Sequence, residues 1–63
     1  MHEYYFVVSD DTNPVYATTS WHKAFHYDDQ DGQIMPYIDS FAESGERIAS
    51  YEYNHKLQEY IEV

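Results

Sequence analysis

Cysteine is absent from this 63-residue chain, which excludes disulfides and thiolate metal sites as sources of stability. Positive charge is scarce. Only Lys23, Arg47 and Lys56 oppose twelve carboxylates, a formal net charge of −9 with histidines neutral. Such a chain repels phosphates and anionic lipid surfaces, so neither direct nucleic-acid binding nor membrane association is expected. No apolar run approaches the ~20 residues that span a bilayer. Met1-His2-Glu3-Tyr4 has neither the basic region nor the apolar stretch of a signal peptide, and a cytoplasmic location follows as the expectation. Glycine occurs twice, with no phosphate-cradling loop and no Gly-x-Ser-x-Gly elbow. Without these motifs, and with little room for a desolvated pocket, an enzyme is not expected and no cofactor is assigned.

Aromatic side chains are abundant: eight tyrosines, three phenylalanines and Trp21 make up 19% of the chain. This argues against disorder despite the charge, because disordered segments are aromatic-poor. It also supplies a staple. A single domain of this size sits near the lower limit for independent folding, and each buried aromatic removes about 150–250 Å² from water.

The order of residues points to an α+β fold within one domain, residues 1–63. Tyr4 to Val8 is aromatic and β-branched and runs into the turn Ser9-Asp10-Asp11-Thr12-Asn13-Pro14. Val15 to Thr18 resumes strand composition, so the two form an N-terminal hairpin. The period then changes: Thr19 or Ser20 can cap a helix in which Trp21, Ala24 and Phe25 recur at i, i+3, i+4. Asp28-Asp29-Gln30-Asp31-Gly32 reads as a solvated loop. From Ile34 to Ala42, the set Ile34, Ile38, Phe41 and Ala42 fits one helical face, with Pro36 in the first turn; a short strand around Ile34 competes. Beyond Gly45 the pattern alternates, with Arg47, Ala49, Tyr51 and Tyr53 on one face. A hairpin turning at Asn54-His55 then leads into Leu57 to Val63, against a rival helix capped by Asn54. The expected architecture is a small antiparallel sheet (N-terminal hairpin plus C-terminal strands) with one or two short helices packed on one face. Its other face stays open, and a free sheet edge allows a homodimer.

The carboxylates fall in three places: Asp10 and Asp11 in the first turn; Asp28, Asp29 and Asp31 in the central loop; Glu52, Glu59 and Glu62 on the C-terminal strands. Side chains at i and i+2 of a strand stand about 6.6–6.8 Å apart, near the step between phosphates of a nucleic-acid strand. Acidic rows beside Trp21, Tyr51 and Tyr53 could therefore join charge pairing to aromatic anchorage against a basic protein. In size, acidity, tyrosine content and lack of cysteine, the whole chain resembles phage and mobile-element inhibitors of host nucleic-acid machinery. These include antirestriction and anti-CRISPR proteins and inhibitors of uracil-DNA glycosylase or RNA polymerase. The resemblance implies a viral inhibitor that mimics DNA or RNA in a host cytoplasm. The alternative is an antitoxin-like or assembly module that binds through a Tyr-rich sheet face, its acidity serving solubility.

Two further patterns point elsewhere. His22 and His26 stand at i, i+4, but Lys23 occupies the place where a zincin helix carries glutamate. The Asp28–Gly32 run lacks both the register and the twelfth-position glutamate of a calcium loop. No metal is therefore assigned.

Overall fold

The computed structural model describes residues 2–28 and 32–63. Among these residues the chain forms one antiparallel sheet in the order β2-β1-β3-β4-β5, with a single short helix on one side. β1 (Tyr5–Ser9) and β2 (Pro14–Thr18) make the N-terminal hairpin. α1 (Trp21–Phe25) then carries the chain across one face, and β3 (Tyr37–Phe41) enters the sheet on the far side of β1. β4 (Arg47–Asn54) and β5 (Glu59–Glu62) complete a meander. No helix among the described residues is long and apolar enough to cross a membrane.

Local chemistry explains the first half. Asp10 Oδ1 accepts from the backbone N–H groups of Thr12 (2.8 Å) and Asn13 (2.7 Å), closing the turn after β1. Ser20 is the helix N-cap, its hydroxyl accepting from Lys23 N at 3.2 Å. The helix ends at Phe25, the last of its three apolar positions. His26 leaves helical geometry, and Asp28 pairs with Ile34 in an isolated bridge.

The second expected helix, Ile34 to Ala42, is instead strand β3. Pro36 has no N–H and restricts Met35 to extended backbone. The buried residues are Ile38, Ser40 and Ala42, a period of two, with Phe41 on the opposite face. Ser40 disguises that alternation, yet it is fully buried, and its hydroxyl donates to the carbonyl of Ala49 at 3.3 Å. With Phe6 and Val8 from β1, Ala24 from α1, and Met35, Ile38 forms the core.

At the C-terminus the hairpin prevails over the helix, with a four-residue loop, His55 to Gln58, in place of a two-residue one. Asn54 Oδ1 accepts from Leu57 N at 2.9 Å, the bond that a helix cap would make. Gln58 then turns left-handed (φ 57°) and returns the chain as β5. The register also shifts between Ser40 and Phe41, so that Phe41 pairs with Arg47 while Ser40 pairs with Ala49. Arg47 is thereby separated from Ala49, Tyr51 and Tyr53, with which strict alternation grouped it.

Candidate functional site

The sheet has two unlike faces, and the candidate residues are divided between them. On the helix side, Phe25 is the hub of an aromatic cluster. Phe6, Tyr51 and Tyr60 meet it edge-on at centroid distances of 5.6, 5.0 and 5.5 Å, and Trp21 stacks on it at 4.6 Å. Register explains the convergence: Tyr53 pairs with Tyr60 and Tyr51 with Glu62, so these four side chains share the helix-facing side. Beside the cluster a cleft of about 520 Å³ opens between α1 and the β4–β5 hairpin, lined by Trp21, Tyr53, Tyr60, Ile34, Asp28 and Glu59 among others. Trp21 is 56% exposed and Ile34 42%, an unusual amount of open apolar surface for one rim.

Two tyrosines are pinned there. The Tyr60 hydroxyl donates to the carbonyl of Met35 at 2.6 Å, and the Tyr51 hydroxyl to Glu3 Oε2 at 2.6 Å. Burial pushes Tyr60 up to about 12, with Tyr53 and the charge of Asp28 adding to the shift. Tyr51 is likewise pushed up to about 12, first by burial, then by its bond to Glu3 and the charges of Glu3 and Glu62.

The open face is acidic. Asp39 pairs with Ser50, Glu52 with Tyr37 and with Ile61, and Glu59 with Asn54. From β3 to β5, each of Asp39, Glu52 and Glu59 therefore lies one strand over and two residues along from the last. Diagonal neighbours of this kind stand about 7–8 Å apart, so the three carboxylates form an oblique row. Ser50 Oγ donates to Asp39 Oδ1 at 2.7 Å and fixes the first of them. A groove on this face is lined by Asp39, Glu52, Asp10 and Asp11, with no lysine or arginine among its described lining residues. Arg47 stands opposite Phe41 at the other end of β3.

The predicted residues are thus only partly gathered. Trp21, Tyr51, Tyr53, Asp28 and Glu59 surround the cleft, and Glu62 is beside Tyr51. Glu52, Asp10 and Asp11 belong to the open face, and Glu59 stands at the margin of both. Asp10 already serves the fold: its hydrogen bonds to the amides of Asn13 and Thr12 hold its carboxyl below the usual aspartate range. Asp29 and Asp31 lie outside the described residues. Asp39 was missed because its segment read as helix; the alternation Ile38, Ser40, Ala42 was the signal that would have found it. His22 and His26 are exposed with rings 4.4 Å apart, and no group of three or more potential metal ligands occurs among the described residues.

No protein-family model, curated protein or solved structure matches this chain.

Proposed function

We propose that this protein is a small acidic inhibitor or regulator of phage or mobile-element origin. It works by binding, not catalysis, and docks its open sheet face on the basic, nucleic-acid-binding groove of a host protein in the cytoplasm. The observation that carries this reading is the oblique row Asp39–Glu52–Glu59, whose first two members line, with Asp10 and Asp11 of the first turn, a groove that has no lysine or arginine among its described lining residues. Carboxylates spaced about 7–8 Å apart on a stiff sheet present charge much as successive phosphates do, without a mobile backbone to order. Tyr37 and Ile61, both exposed on this face, add apolar contact between the charges.

The test is retention of a host protein on the immobilised chain, followed by competition. Excess DNA or RNA should release the retained protein, and binding should fall at least about tenfold between about 50 and about 500 mM salt. Asp39→Asn with Glu52→Gln should weaken it together. Retention unaffected by nucleic acid would sink the mimic reading, however tight the binding.

The interaction-module alternative has an observation of its own, the exposed Trp21 and Ile34 around the aromatic cleft. It requires binding that survives high salt and is lost in Tyr51→Ala or Tyr53→Ala.

A further inference from the structure

The cleft between α1 and the β4–β5 hairpin is chemically unlike the open face. Its walls are rings: Trp21, Phe25, Tyr53 and Tyr60. One face of the Trp21 indole is stacked on Phe25 at 4.6 Å, and the residue still exposes 56% of its surface. Tyr53 and Tyr60 meet edge to face at 5.1 Å, and Tyr60 is anchored by its hydroxyl, so that wall is fixed before anything binds. Two carboxylates, Asp28 and Glu59, stand at the same cleft. None of Lys23, Arg47 and Lys56 is among the described lining residues, and the one basic side chain there is the imidazole of His26.

Aromatic faces attract cations, and carboxylates specify one that carries N–H donors. We propose that this cleft seats the guanidinium of an arginine side chain from a protein partner. Guanidinium is planar, stacks on an indole or phenol face, and offers paired N–H groups to a carboxylate such as Asp28. It is also less strongly hydrated than the ammonium of lysine, so entry into an apolar-walled cleft costs it less. A quaternary ammonium would satisfy the rings but leave both carboxylates without hydrogen-bond donors. At about 520 Å³ the cleft has room for the whole side chain. The inference shares with the proposed function the basic character of the partner and one residue, Glu59, at the margin between the two surfaces; the rest of the site lies on the other side of the sheet.

Trp21 is the only tryptophan in the chain and reports on the cleft directly. Its fluorescence should change saturably when N-acetyl-arginine amide is titrated at constant ionic strength and about pH 8. The lysine analogue should bind several-fold more weakly, and the uncharged citrulline analogue should not bind. Asp28→Asn and Tyr53→Leu should each weaken binding about three- to thirtyfold, whereas Asp39→Asn with Glu52→Gln should leave it unchanged. The proposal is overturned if citrulline matches arginine, if tetramethylammonium binds as tightly as arginine, or if the response to arginine never saturates. It is also overturned if both cleft variants, with melting curves intact, bind arginine normally. The comparison of ligands on the unaltered protein needs no variant to fold. Failure here with nucleic-acid-competed docking intact overturns the cleft alone. Arginine binding without such docking overturns the open-face reading alone.

Discussion

Replacing Phe25 with leucine tests the claim that aromatic packing, in the absence of cysteine, holds this small domain together. Leucine preserves apolar character and most of the volume, so the transfer and cavity costs are small. What it removes is ring-on-ring contact with Phe6, Trp21, Tyr51 and Tyr60. Such pairs contribute about 0.5–1.5 kcal/mol each beyond area burial. Phe25 is only half-buried, so the low end applies, and four pairs amount to about 2 kcal/mol. A domain of this length has about 3–9 kcal/mol of stability in all. At about 4–8 °C per kcal/mol for domains of this size, the midpoint should fall by about 8–16 °C. Thermal unfolding followed by circular dichroism, with urea unfolding to confirm an unchanged slope, measures it. Ile34→Ala, at an exposed position, should shift the midpoint by no more than about 4 °C. A Phe25→Leu midpoint within about 3 °C of the parent would show that the cluster contributes only apolar area, refuting the staple argument.

Other expectations follow from single residues. Tyr51 and Tyr60 ionise near 12 in the folded chain against about 10 unfolded. The unfolded state therefore releases protons first, and stability contributed below about pH 10 is lost as pH rises toward 12; ultraviolet titration should show a late-ionising tyrosine fraction that shrinks in Tyr60→Phe. Asp10, held below its ordinary value, contributes stability that is present above about pH 4 and lost as pH falls further. Asp10→Ala should speed amide exchange at Thr12 and Asn13 and remove that acid dependence. Gln58→Gly, at a left-handed position, should raise stability by about 0.5–1 kcal/mol in urea unfolding, and Gly45→Ala, at φ 93°, should lower it by about 1 kcal/mol.

Much of the fold is legible where local chemistry and burial agree. The Tyr4–Val8 strand, the Asp10 turn, the Ser20 cap and the alternation of Tyr51 and Tyr53 are each specified by residues within a few positions of one another. β3 was not, because its identity depends on partners distant in sequence. Ile34, Ile38, Phe41 and Ala42 satisfy a helical period by coincidence, and only pairing with β1 on one side and β4 on the other selects the strand. Intrinsic preferences are too weak to decide against two ladders of hydrogen bonds.

The sequence alone determined that this chain is acidic, stapled by aromatics instead of disulfides, and equipped with carboxylates in separate clusters; composition and short-range order suffice for that. Which carboxylates stand together was decided by tertiary structure. Strand register and one bulge put Asp39, Glu52 and Glu59 into an oblique row, set Arg47 across from Phe41, and left Trp21, Asp28 and Tyr53 around a cleft on the other side. A one-residue change of register exchanges the faces of a strand, and register is fixed by burying Ile38, Val8 and Phe6 together, contacts that no local stretch of the chain contains.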